Sequence, residues 1–509
     1  MKSNSFRTFA VAITLVLTTA ALAQPAGSVT IGLTGEPPNL DPALNSGTPQ
    51  RSVKLSVYRG LFNYGMNGKP APELASSYTL STDKKTYTIK LRKASFHNGD
   101  PVTAEDVKFT IERILDPKTG ATFAGLFKVV STINAVNATT IQITLKEPTA
   151  PFIHYLALPE SAIVSKKWTQ QRNGDLSRAA MGAGPFKFTR WERGQSITLE
   201  AFDGYYKANM PKSKQLVFEF YAEETARVNA LRAGNVDLIE YVPWKDIQTV
   251  RKDTNLKLYP SSGPFMGVVF NTTSKPFSDP RVRQAVGYAI NRQAIINTAF
   301  SGQGRPIYGI AMPTTMTGYN KDLASYYKYD QKKAMELLAA AGYPNGFKIR
   351  LLSTSQYGFH QQTATVIAAE LKKIGITVEL DLPDRATRLE KNLKADYDLL
   401  VIGTAGDIND PDFLTDIYKS GPLRLNSAPG FADKQIDNLL EEGRSTTETA
   451  KRADIYQSLQ KRLLDLSPVI YLSWREQAYA SNKNIQGFTP MPGFLNFQSG
   501  LMFERIQKK

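Results

Sequence analysis

The stretch 397–411 reads YDLLVIGTAGDINDP, and its chemistry is carried by Asp407. Leu399, Leu400, Val401 and Ile402 form a short unbroken apolar run, the pattern of a strand buried on both faces. Gly403, Thr404, Ala405 and Gly406 then carry almost no side-chain bulk, and a carboxylate follows, with Asn409, Asp410 and Asp412 close behind. A buried strand ending in a small-residue loop and an acid has the form of a cleft lip, because ligands in open α/β sheets bind outside the carboxyl ends of the strands. A solvated acidic loop has the same composition.

Other residues with usable chemistry are few. The chain has three histidines and no cysteine, so disulfides and thiolate chemistry are excluded. No His pair lies at helical distance, and Pro411 falls where a calcium loop needs a ligand, so no metal site and no cofactor are expected. His97 reads as structural, and His154 has no partner nearby in sequence. His360 begins a helix after a strand, where it can face a cleft. Tyr241 and Trp244 follow a short strand at 236–241, and Trp474 ends a strand at 469–473. Aromatics at a cleft give large contact area with few rotors, and all three fit a core equally well. Ser81-Thr82-Asp83-Lys84 matches S-x-x-K but lies in a turn and lacks its companion motifs. No nucleophile–base set emerges, so an enzyme is not expected, and a secreted hydrolase is the remote alternative.

The elements that must position these residues fall into three patterns. The first is a strand at 29–33, the turn-rich loop GEPPNLDP at 35–42 and a helix over 52–62. The second, over 65–181, has alternating strands at 87–91 and 141–145 and a helix with Thr103 as N-cap and Asp106 as its capping-box partner. It reads as an α+β subdomain. GAGP at 182–185 marks the next boundary, followed by strands near 186–188, 197–201, 217–221 and 267–271. From 331 helices and strands alternate strictly: helix 331–341, strand 347–352, helix 359–374, strand 376–380, helix 384–394, then the strand before Asp407. This β-α-β-α-β order predicts a parallel sheet with right-handed crossovers and favours the cleft reading of Asp407. Two helices near 431–442 and 448–466 complete the series.

The bulk numbers agree with a globular exported protein. The chain has 509 residues, 42% hydrophobic and 21% charged, enough for several domains. Lys2 and Arg7, an apolar run over 9–17 and Ala21-Leu22-Ala23 read as a cleavable signal peptide over 1–23, too short to span a bilayer. Without a cysteine there is no lipoprotein anchor, so the expected location is the periplasm. The formal charge is +16 with Lys and Arg scattered, and export argues against nucleic acid as a partner.

Five stretches in order carry a resemblance: GEPPNLDP at 35–42, SFHNGDPVTAEDVKF at 95–109, GAGPF at 182–186, PFSDPRVRQA at 276–285 with YAINR at 288–292, and LLAAAGY at 337–343. The chain resembles the periplasmic solute-binding proteins of ABC importers, in the peptide and nickel binding group (family 5), over roughly 29–475. The resemblance implies an α/β periplasmic-binding-protein fold, two α/β lobes joined by hinge strands plus an α+β subdomain. Its domain I would comprise 24–64, 182–275 and 475–509, domain II 65–181 and domain III 276–474. It also implies a monomer that captures a small solute or short peptide by hinge closure and delivers it to permease subunits in the inner membrane.

The resemblance further suggests roles. Gly403-Thr404-Ala405-Gly406-Asp407 matches a Gly-Trp-x-x-Asp motif whose aspartate holds a ligand's α-amino group, with Thr404 in place of tryptophan. Glu36 and Asn39 lie on a loop that resembles a ligand-contacting loop of oligopeptide binders; bonds within the loop explain them equally. Dipeptide binders also take the ligand's carboxylate on an arginine after the first strand of domain III. The matching stretch here, Ser353-Thr354-Ser355-Gln356-Tyr357, has none. The expected ligand is therefore a polar amine-bearing solute, peptide or peptide-like; the alternatives are an oligosaccharide, an opine-like conjugate or a metal–chelate complex. Asp407, Thr404, Gly406, Glu36, Asn39, Tyr241, Trp244, Tyr357, His360 and Trp474 are the candidate contacts.

Overall fold

The computed structural model describes residues 27–44 and 47–509. The expected signal peptide lies outside the described residues. One sheet of eleven strands runs the length of the molecule. Its order is Thr377–Asp381, Lys348–Leu352, Leu399–Thr404, Leu256–Phe270, Val469–Asn482, Leu238–Ile239, Ser28–Leu33, Gln215–Phe220, Ser196–Ala201 and Phe186–Glu192, with Gly304–Pro306 paired beside Val469–Asn482. At the first end Lys348–Leu352 pairs in parallel with both Thr377–Asp381 and Leu399–Thr404. The helices Gly358–Lys372 and Arg385–Leu393 make the crossovers. Alternating helix and strand periods thus built a parallel unit. Leu399, Leu400, Val401 and Ile402 are all buried, as their unbroken apolar run requires.

Two long antiparallel strands, Leu256–Phe270 and Val469–Asn482, join this end to the other and are the hinge. One half of Leu256–Phe270 pairs with Asn482 through Glu476, beside the strands of the N-terminal lobe. The other half pairs with Trp474 through Val469 and with Leu399–Thr404. The register shifts between Ser262 and Phe265, a bulge at the crossing point. The sequence showed each of these as a five-residue strand. Pro260, Gly263 and Pro264 interrupt the first, a composition that ordinarily demotes a strand. Gly263 tolerates no side chain: an added Cβ would stand 1.9 Å from the Gly493 carbonyl oxygen, because the C-terminal 3-10 segment Gly493–Arg505 crosses there.

The α+β subdomain is a four-stranded antiparallel sheet, Ala75–Leu80, Thr86–Leu91, Thr140–Leu145 and Val130–Asn137 in spatial order, covered by the helix Ala104–Leu115. Thr103 and Asp106 form the capping box. No helix among the described residues is long and apolar enough to cross a membrane.

Candidate functional site

Asp407 projects from the loop after Leu399–Thr404 toward the opposite lobe. Its Oδ1 accepts from Arg51 Nη2 at 3.0 Å, and Arg51 Nε donates to Glu160 at 2.9 Å. Arg51 lies on the helix Thr48–Val57 of the N-terminal lobe, so this ion pair bridges the lobes. Only Oδ1 is engaged, and the side chain keeps 46% of its surface open. Burial of its surroundings raises the carboxyl's proton affinity, Arg51 opposes this and Glu160 adds to it. The amine anchor expected from sequence therefore already holds a guanidinium, with one oxygen left for a ligand.

The acids behind Asp407 are committed to structure. Asp410 takes Arg452 at 2.6 Å and Asp412 takes Arg444 at 3.0 Å. Tyr155 Oη donates to Asp412 at 2.5 Å, Asn409 Nδ2 donates to the Gly68 carbonyl at 2.9 Å, and Tyr64 Oη accepts from the Asn409 amide at 3.2 Å. These contacts dock the loop 407–412 on the α+β subdomain. Arg444 and Arg452 neutralise Asp412 and Asp410, and Tyr155 shares Asp412 with Arg444.

Gly406 is buried against Phe494, whose ring would lie 2.4 Å from an added Cβ. Phe494 belongs to an aromatic set with Phe413, Trp474 and Phe265, at centroid separations of 5.0, 6.0 and 6.2 Å. Thr404 Oγ1 donates to the neighbouring Ala405 carbonyl at 3.3 Å and pairs across the sheet with Phe265. Trp474 also lines a groove of about 670 Å³ with Tyr259, Ser261, Arg305, Tyr308 and Pro313. Asp407, Tyr241 and His360 do not border that groove.

A second group gathers at the hinge. Tyr241 has φ 52°, a left-handed conformation unusual for a tyrosine. Its ring stacks on Phe497 at 6.4 Å, and burial pushes its hydroxyl's pKa up, opposed by the Arg475 charge. Trp244 donates its indole N–H to the Glu476 carbonyl at 2.7 Å, and its ring meets Phe300 and Phe359 of the other lobe edge-on at 5.0 and 5.2 Å. His360 is buried, its Nδ1 has no partner, and its Nε2 would touch a Cβ added at Gly403 at 3.0 Å. Burial, helped by the charges of Arg388 and Arg475, holds the imidazole down to about 3, so the ring is neutral at physiological pH. Tyr357 begins the same helix and is exposed.

Two expected contacts are occupied elsewhere. Glu36 Oε1 accepts from Trp191 Nε1 at 2.8 Å and pairs with Arg193 at 2.7 Å. Asn39 Oδ1 accepts from Gln50 Nε2 at 2.7 Å. Both bonds shape the N-terminal loop. The structure adds residues that sequence reasoning missed: Arg51, Arg388, Arg475, Phe494 and Asn496. Arg388 donates to the Val401 carbonyl at 2.7 Å while its Nε is unpartnered, and both amide atoms of Asn496 are buried without a partner. One signal for Arg475 existed: Ser473, Arg475, Glu476 and Gln477 place a polar cluster in the middle of an otherwise largely apolar strand.

Comparison with known proteins supplies the context. A family model described as bacterial extracellular solute-binding proteins, family 5, matches residues 69–422. The glutathione-binding protein GsiB of Escherichia coli (strain K12) is 30% identical over 498 residues, 95% of each chain. The solved structure of the PBP AgaA from A. tumefaciens R10, in complex with agropinic acid, is similar at 49% identity and a TM-score of 0.87, covering 95% of this chain and 99% of that one. The ABC transporter-associated periplasmic binding protein DppA of Helicobacter pylori, in complex with the peptide STSA, is similar at 26% identity and a TM-score of 0.82, covering 95% and 98%.

Proposed function

The chain belongs to the family 5 solute-binding proteins of ABC importers, and from that premise we propose that it captures a small amino-acid-derived solute, opine-like or peptide-like, between its lobes. Family 5 proteins work outside the cytoplasm and deliver solutes to ABC permeases. Here the protein acts as a periplasmic monomer, released from its signal peptide near Ala23, by binding and hinge closure without covalent chemistry. The three-part division into 24–64 with 182–275 and 475–509, 65–181, and 276–474 is the working description of its moving parts.

The observation that carries the reading is the set of polar atoms left without a full complement of partners at the lobe junction and the hinge: one carboxylate oxygen of Asp407 beside the Arg51 bridge, the buried imidazole Nδ1 of His360, and the buried side-chain amide of Asn496. Thr404 replaces the apolar tryptophan of the peptide-binder motif, which favours a hydroxylated solute. The 49% identity to AgaA, bound to agropinic acid, supports the opine-like reading. GsiB and DppA support the peptide-like one.

A melting-temperature panel of agropinic acid, glutathione, the peptide Ser-Thr-Ser-Ala and free hexoses tests this. Agropinic acid at a hundredfold its dissociation constant should stabilise the protein by about 2.7 kcal/mol. The solute class fails if no member shifts the melting temperature and native mass spectrometry finds no such compound carried through purification.

A further inference from the structure

Seven arginines are buried among the described residues. Arg51, Arg59 and Arg452 hold carboxylates. Arg227, Arg283 and Arg292 donate to backbone carbonyls. Arg475 has neither. It is only 5% exposed, its Nε is unpartnered, and its guanidinium carbon stands 5.0 Å from the centre of the Phe359 ring. Burial holds it below the ordinary arginine range, opposed only by Tyr241. A buried cation without a counter-charge is strongly unfavourable, and a cation–π contact offsets only part of that penalty.

Its position says what completes it. Arg475 sits on the hinge strand Val469–Asn482, beside the crossing bulge. It has Tyr241 of one lobe on one side and Phe359 and His360 of the other lobe across from it. Arg388, with its own unpartnered Nε, adds a second positive charge near His360. No carboxylate of the described residues reaches Arg475 within ion-pair distance. We propose that Arg475 is the carboxylate anchor of the solute site, with the unpartnered His360 Nδ1 and the Tyr241 hydroxyl flanking the bound carboxylate.

This inference rests on the solute-binding reading and deepens it. The dipeptide-binder arginine missing from 353–357 has a replacement on a different element. A guanidinium presents its N–H groups in a fork that fits a carboxylate. Because Arg475 lies in the hinge, closing the lobes without an anion leaves its charge stranded, and a bound carboxylate removes that penalty. The site therefore selects for acids and ties closure to their arrival.

Two arms test it on the full-length mature protein. In the first, wild type binds agropinic acid and its primary carboxamide in parallel titrations. The acid should bind at least a hundredfold more tightly, and equal affinities would overturn the assignment whatever any variant does. In the second, Arg475→Met is melted without solute. Its melting temperature should rise, because a stranded charge has gone, and it should bind the acid and the carboxamide alike. A lower melting temperature with discrimination retained would make Arg475 a packing residue, and Arg475→Lys, which keeps the charge, should then also discriminate. If no probe binds wild type, the solute class has failed, and the solute-free melting of Arg475→Met still decides whether its charge is stranded.

Discussion

Replacing Asp407 by asparagine removes a charge from a carboxylate shared between Arg51 and open space. An amine-bearing peptide should bind at least tenfold more weakly to Asp407→Asn, the loss expected for a charged hydrogen bond of about 1.5–3 kcal/mol. A solute without an amine should lose little. Calorimetric titration of both separates the roles: equal losses would mean that Asp407 acts only by tying the lobes together through Arg51. Glu240 gives a pH test in the same neighbourhood. It is fully buried, accepts from Ser52, and is pushed up to about 7 by burial. Its folded form keeps a proton that the unfolded chain releases near 4.5. Stability from this group is therefore present below pH 4.5 and is lost as pH rises to 7, by about 3 kcal/mol. Glu240→Gln keeps the acceptor for Ser52 and should flatten that decline in denaturation curves from pH 5 to 8. At this scale the sequence was legible for position and poor for partnership. The buried strand and small-residue loop located Asp407, yet its partner Arg51 lies 356 residues away. No local pattern announces such a pair, and the bond from Trp191 that occupies Glu36 spans 155 residues, whereas Asn39 is taken by Gln50 only 11 residues on.

Elements were read better than residues. The capping box at Thr103 and Asp106 follows local backbone chemistry. So does the alternation that built the parallel strands. The hinge strands were read at a third of their length because Pro260, Gly263 and Pro264 are tolerated for a tertiary reason: the C-terminal segment crosses the bulge and needs the space. Gly263→Ala drives a methyl into the Gly493 carbonyl. It should lower stability by about 1–3 kcal/mol in chemical denaturation. It should also weaken solute binding, because the clash lies at the crossing point of the lobes. Unchanged stability would show that the 493–505 segment shifts freely.

The eleven-stranded sheet passes through both lobes by way of the hinge strands, and the loop 407–412 clamps it to the α+β subdomain. The fold class was legible because five ordered stretches and the element alternation agree, whereas the clamp was not, since it joins 64–68 and 154–155 to 407–412. Saturating solute should reduce the radius of gyration measured by solution X-ray scattering, and no compaction would argue against hinge closure. The chain has only four tryptophans. Two of them, Trp244 and Trp474, sit at the junction. Trp244 is fastened by its indole N–H to the hinge strand while its ring meets the edges of Phe300 and Phe359 in the other lobe. When the lobes part, that ring loses its aromatic neighbours and gains water, so the protein carries its own optical gauge. Its emission should move to shorter wavelength and change in intensity as solute is added, and Trp244→Phe should silence most of the signal, giving a dye-free readout of capture in real time.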